Sequence, residues 1–229
     1  MKKNKELILV VAAHPDDEVL GCGASIAKWV DAGNEVHVLI MSDGETARDL
    51  NRGCNFSNEK VILRSELAYK AGDVLGVKSI KLLNLPDNRM DSIDLLDIVQ
   101  LVEREVDYLK PDMVVTHHGG DLNIDHQITY KAVVTACRPQ PGKSVKKLLS
   151  FEVPSSTEWQ VCTPFQPNWF EDVHETFERK IEALNIYNIE MREWPHARSL
   201  RNIEYLAHYR GSSVGCETAE AFILLRNIT

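Results

Sequence analysis

Leu7-Ile8-Leu9-Val10-Val11-Ala12-Ala13 is an unbroken apolar run, and it leads directly into His14-Pro15-Asp16-Asp17-Glu18. A run without polar alternation is what a strand buried on both faces of a parallel sheet presents. The polar turn hands the chain to a helical pattern that continues to about Ala32, where Gly33-Asn34 stops it. A second apolar run, Glu35 to Met41, completes a β-α-β unit. Further along, Ser57 to Leu75 has helical period and ends at Gly76, and Ile80 to Leu83 reads as a short strand. Ser92 to Leu109 is an amphipathic helix that halts before Pro111, and Met113 to Thr116 is another buried strand. This alternation predicts an α/β three-layer sandwich with a mostly parallel central sheet and helices on both faces. Right-handed crossovers then collect every strand-to-helix turn on one edge of the sheet, where ligands bind. After Pro139 the pattern is less regular: Lys146 to Val153 is expected as a strand, Glu171 to Glu190 as a helix, and Leu200 to Tyr209 as another.

The 229 residues suffice for one sizeable α/β core and are short for two, so residues 1–229 are expected to form a single domain. The formal net charge of −8 argues against an electrostatic grip on nucleic acid or anionic lipid, both of which reward a positive surface. No stretch approaches the roughly 20 apolar residues a membrane span requires, and the run after Met1-Lys2-Lys3-Asn4-Lys5 is too short for a secretory signal core. Cys22, Cys54, Cys137, Cys162 and Cys216 are odd in number and far apart, which suggests reduced thiols in a cytoplasm.

The turn after the first strand places one imidazole and three carboxylates within five residues. Clustered carboxylates repel unless a cation sits among them, and zinc accepts mixed nitrogen and oxygen ligands while keeping a position for water. A third ligand is expected from another strand end, and Gly119 to His126 follows the strand that ends at Thr116.

His14-Pro15-Asp16-Asp17-Glu18 together with Asp125-His126 resembles the signature of the PIG-L, or LmbE-like, zinc deacetylases. The resemblance extends to Arg64 with Glu66, to Leu83 through Asn88, and to a tail of the type Arg210-Gly211 through Ala219-Glu220-Ala221-Phe222. It implies a Rossmann-like domain that hydrolyses the N-acetyl group of a small-molecule amino sugar of the N-acetylglucosamine kind, in a glycolipid, sugar nucleotide or polysaccharide precursor. It further implies Zn2+ held by His14, Asp17 and His126, Asp16 as general base, and Arg64 and Asp87 as substrate contacts. Homo-oligomers are among the assemblies it admits. One departure stands out: where many members carry a histidine three residues before the last zinc ligand, this chain has Asn123. Asparagine donates a hydrogen bond but carries no proton, so Asn123 is expected to serve as a neutral oxyanion donor, or else His117 or His118 supplies the missing imidazole.

Other readings compete. Asp16 and Asp17 suit a helix cap. Gly21-Cys22-Gly23 begins like a dinucleotide fingerprint, but position 26 is Ile, and the acidic turn would repel a pyrophosphate; close helix-on-strand packing explains these glycines better. Arg64 alone reads as a solvent-facing helix arginine. Trp29, Trp159, Trp169 and Trp194 show no spacing that forms a binding strip. Two alternatives to the deacetylase keep the metal: an amidase acting on thiol-cofactor conjugates, and a metal-binding protein without turnover.

Overall fold

The structure, a computed structural model, describes residues 5–45, 47 and 57–229; Cys54 and the first four residues lie outside them. Its strands are β1 (Leu7–Ala12), β2 (Glu35–Ser42), β3 (Ser79–Leu85), β4 (Met113–His117), β5 (Lys147–Phe151), β6 (Trp169–Asp172) and β7 (Ala219–Asn227). Its helices are α1 (Asp17–Asp31), α2 (Ser57–Leu75), α3 (Leu95–Leu109), α4 (Ile124–Ala136), α5 (Phe177–Ile186) and α6 (Leu200–Ser212), with short 3-10 turns at Met90–Ser92 and Thr157–Trp159.

One sheet runs in the order β3-β2-β1-β4-β5-β7-β6. The first five strands of that order are parallel, while β7 pairs antiparallel with both β5 and β6. Alternation along β1 explains the missing polar residues in its sequence. Ile8 and Val10 enter a core shared with Leu20, Leu75, Phe177 and Leu184 on one face, whereas Leu9 and Val11 enter a second core with Ile98, Val102 and Val133 on the other. Each such side chain removed from water contributes about 1.5–3 kcal/mol, so a polar residue on either face of β1 would be costly.

Chain order reverses between β1, which continues outward to β2, and β4, which continues outward to β5. The crevice beyond the carboxyl ends of those two strands is where ligands settle in open α/β sheets. Gly21 of α1 allows the helix to close on the sheet, since a Cβ there would lie 2.3 Å from the Phe151 ring of β5.

One expectation needs correction. The segment from Glu171 is not one helix to Glu190: Glu171 and Asp172 belong to β6, and α5 occupies only Phe177–Ile186. The pairing of Glu171 with Glu220 and of Asp172 with Ala219 extends the sheet there and overrides local helical period. β7 is a further strand, in a stretch to which the sequence pattern assigned no element. Among the described residues, Cys22, Cys137, Cys162 and Cys216 are free thiols, and no helix is long and apolar enough to cross a membrane.

Candidate functional site

The turn after β1 delivers His14, Asp16 and Asp17 to the crevice, and the segment after β4 delivers Asp121, Asn123, Asp125 and His126. Asp16 sits at φ 122° immediately before α1, a left-handed conformation that costs a non-glycine residue free energy and tends to be retained at functional sites. Its side chain makes no hydrogen bond to the helix it precedes, so the cap reading fails for Asp16.

His14 Nδ1 lies 3.0 Å from Asp17 Oδ2, His126 Nε2 lies 3.1 Å from the same oxygen, and the two ring nitrogens are 3.3 Å apart. Three electron-pair donors converge there in a buried pocket: His14 is 9% exposed, Asp17 0% and His126 1%. Asp17 Oδ1 is also buried without a hydrogen-bond partner among the described residues. These residues can hold a metal ion, and an ion satisfies groups that would otherwise be costly to bury.

The opposite nitrogen of each histidine meets a carboxylate. His14 Nε2 is 3.1 Å from Asp125 and 3.2 Å from Asp87, and His126 Nδ1 is 3.1 Å from Asp121. Carboxylates behind metal-ligating imidazoles fix the ring orientation and raise ligand basicity. A second trio, His14, Asp87 and Asp125, also clusters closely enough for an ion. Asp125 is less suited to it, because its oxygens already accept the backbone N–H groups of Asn88 and Met90 at 2.7 and 3.0 Å.

Charge placement follows from burial and neighbours. Burial works against charge on His14, but the Asp125, Asp17 and Asp87 carboxylates outweigh it and hold that imidazole well above its ordinary value. Burial likewise opposes charge on His126, yet Asp17 and Asp121 raise it to about 9. Asp17 is held well below the usual carboxylate range because His126, His14 and His117 overcome its burial. Asp16 differs: burial, offset in part by Arg198 and reinforced by Asp17, pushes its carboxyl up to about 6. Such a group exchanges protons near neutral pH.

Asp16 Oδ2 accepts a 2.9 Å bond from Arg198 Nη1. Arg64 is 3% exposed, with Nε on Glu45 Oε1 at 2.9 Å and Nη2 on Glu190 Oε1 at 2.7 Å. Its Nη1 has no hydrogen-bond partner among the described residues. Thus Arg64 is not the solvent-facing helix arginine that its sequence alone suggested. His14, Asp16, Arg64, Asp87, Asn123 and Arg198 all line one cleft of about 120 Å3.

Asn123 is fixed locally at both ends of its amide: Oδ1 caps α4 by accepting from Asp125 N and His126 N, and Nδ2 donates to Asn88 Oδ1. His117 is fully buried, takes the Ala13 N–H on Nε2 at 2.8 Å, and stacks on His126 with centroids 4.0 Å apart. Burial and the neighbouring His126 charge hold it well below the ordinary histidine value. His118 faces Thr163 and Phe165, whereas His117 Nε2 lies 3.6 Å from Asp17 Oδ2.

Sequence reasoning assigned no role to Asp121, Glu190 or Arg198. Asp121 was legible as an acidic residue in the segment that carries His126, whereas Glu190 and Arg198 lie in the irregular second half and carry no motif.

An open α/β sheet carries, at its topological switch point, two histidines and one aspartate that can hold a metal ion, with a separate carboxylate beside them. The GlcNAc-PI de-N-acetylase (PIG-L) profile matches residues 9–137, and the chain belongs to this family, whose class is metal-dependent hydrolysis of amide bonds. It is 32% identical to the uncharacterized deacetylase YaiS of Escherichia coli (strain K12), over 77% of this chain and 88% of that protein. It is 26% identical to the diacetylchitobiose deacetylase of Thermococcus kodakarensis, over 93% and 80% of the two chains. Among solved structures, the hydratase GalB of Pseudomonas putida KT2440 superposes with a TM-score of 0.78 at 23% identity, covering 98% of each chain; that likeness concerns the fold.

Proposed function

We propose that the protein is a zinc-dependent N-deacetylase acting on an N-acetylglucosamine-like amino sugar, with residues 1–229 forming one catalytic domain. The observation that carries this is the division of labour between neighbours. Asp17 faces both histidines, while Asp16 turns its Oδ2 to Arg198. A purely structural metal site needs no additional buried carboxylate poised to exchange protons.

His14 Nδ1, Asp17 Oδ2 and His126 Nε2 would hold the zinc. When bound, zinc supplies Lewis acidity, which activates water near neutral pH and stabilises negative charge on the acetyl oxygen. Asp16 accepts the proton of the attacking water and returns it to the leaving nitrogen, so that amide and water become acetate and free amine. Arg64 and Asp87, both of which line the cleft, are read as substrate contacts. Asn123 is read as the oxyanion donor through its second N–H. Buried free thiols at Cys22 and Cys137 suit a cytoplasmic location, and light scattering will read whether the chain forms homo-oligomers.

Metal analysis and acetate release from N-acetylglucosamine and its glycosides test the proposal. Wild type is expected to retain zinc and release acetate, His126→Ala to lose the metal, and Asp16→Ala to keep it while turnover falls about 10²–10⁴-fold. Acetate release that survives Asp16→Ala, or a protein that binds no divalent ion, sinks the assignment.

A further inference from the structure

Asp16 carries two loads that ordinarily fall on different residues. As the residue before α1 it starts the helix, its carbonyl accepting the N–H groups of Val19 and Leu20 at 3.0 and 2.8 Å. Its side chain, which at that position usually caps the helix, is turned to Arg198 instead. Glu18 makes up for it from inside the helix. Its Oε2 reaches back and accepts the Asp16 N–H at 3.0 Å, the half of a capping box that a first-turn glutamate provides. Asp16 is thereby gripped on both sides of its φ of 122°, the conformation that leaves its carboxylate free of the helix.

A carboxylate orients its neighbour only if it is itself held. Glu18 is 2% exposed, and its other oxygen, Oε1, accepts the Tyr187 hydroxyl at 2.8 Å. Tyr187 is fully buried directly after α5, so the grip on Asp16 is anchored in a distant part of the chain. The same helix meets the far end of this turn, where Lys180 Nζ donates to Leu20 O at 2.8 Å. Lys180 and Tyr187 are seven residues apart, the spacing that puts two side chains on one helical face.

Such external support is needed because α1 is not continuous. Cys22 has the non-helical angles φ −151° and ψ 26°, and it separates the first turns of α1 from the remainder. Beyond that break Glu220 accepts the N–H groups of Ala24 and Ser25, as at the start of a fresh helix. The turn that carries Asp17 and Glu18 is therefore set by what packs on it. We propose that Glu18 and Tyr187 are positioning residues, a two-link clamp that fixes the Asp16 backbone so that its carboxylate stands ready as the base. Neither lines the cleft, so both act through other residues. The inference rests on the deacetylase proposal and gives its base a second support besides Arg198.

The test uses the zinc-loaded full chain, with acetate release from N-acetylglucosamine and N,N'-diacetylchitobiose, denaturant unfolding, and crystal structures of wild type and Glu18→Met. Glu18→Met removes the acceptor, and misplacement of a catalytic group by about 1 Å costs on the order of 10²-fold. We expect kcat per zinc-loaded molecule to fall by that factor with KM and zinc content near wild type. Glu18→Gln keeps an oxygen for the Asp16 N–H and should recover most of the loss. Tyr187→Phe, which removes one hydrogen bond and keeps the ring, should lower kcat about fivefold. In the Glu18→Met crystal Asp16 should leave positive φ and lose its bond to Arg198. An Asp16 that stays in place there overturns the clamp whatever the kinetics, as does a Glu18→Gln no more active than Glu18→Met. If Glu18→Met does not fold, Tyr187→Phe decides: lowered stability with wild-type kcat means a structural role alone and overturns the clamp. If wild type releases no acetate yet Asp16 moves in Glu18→Met, the clamp stands and the deacetylase proposal falls.

Discussion

The half of the molecule up to Ala136 and the half that follows contribute to the site in opposite ways. The first supplies the proposed ligands and base from two short segments, each placed by a parallel strand that ends at the crevice. The second supplies no member of the histidine-aspartate cluster, but it surrounds that cluster: Arg198 holds Asp16, Glu190 holds Arg64, and Ser156 and Thr157 bind Asp121 behind His126. A motif can name the reacting groups while the groups that orient them come from a region without one.

The comparison breaks most directly at Arg198. Arg198→Ala removes the partner of Asp16 across 182 residues of sequence. Misplacement of a catalytic group by about 1 Å costs on the order of 10²-fold, so kcat is expected to fall by about that factor while zinc content stays at the wild-type level. Wild-type turnover in this variant would show that the second half merely covers the site.

Asp121→Asn probes the support behind a metal ligand. The Asp121 carboxylate lies 3.1 Å from His126 Nδ1 and accepts hydroxyl bonds from both Ser156 and Thr157; despite its burial, contact with His126 keeps it near a pKa of about 2. Removing the charge is expected to weaken zinc binding about 10–100-fold, measured by chelator competition. Unchanged affinity would mean that His126 is oriented by its stacking on His117 alone.

How far each half was legible follows from where its information lies. The Ser57–Leu75 helix was readable in its period and at its C-terminal end, because helical period and the stop at Gly76 are local signals. The acidic turn was readable because its chemistry is contained in consecutive residues. In contrast, β6 and β7 exist through antiparallel pairing with each other and with β5, and the partners of Phe170 and Phe151 lie at Ala221 and Phe222. No local period records such a partner. Glu190 and Arg198 depend on the same distant packing.

The seam between the halves can be loosened without touching the chemistry. A Cβ at Gly21 would meet the Phe151 ring at 2.3 Å, and that ring is fully buried in the core. Gly21→Ala is expected to cost about 1–3 kcal/mol of stability in denaturant unfolding. Adding Phe151→Leu should recover part of the loss, because the two positions are in contact. Simple addition of the two effects would place the strain elsewhere.

The smallest expected change in stability separates the capping role of Asn123 from its proposed oxyanion role. Its Oδ1 accepts from the amides of Asp125 and His126, so Asn123→Ala should lose about 1 kcal/mol of stability. A serine caps a helix about as well as asparagine, so Asn123→Ser should keep that stability while lacking the amide N–H. If Asn123 donates to the oxyanion, both variants retain zinc and both lose turnover by a similar factor, on the order of 10²-fold. If serine restores turnover along with stability, the residue is a cap alone. The imidazole missing from this position would then have no functional substitute at Asn123, and Arg64 Nη1, which has no hydrogen-bond partner among the described residues, would become the donor to examine.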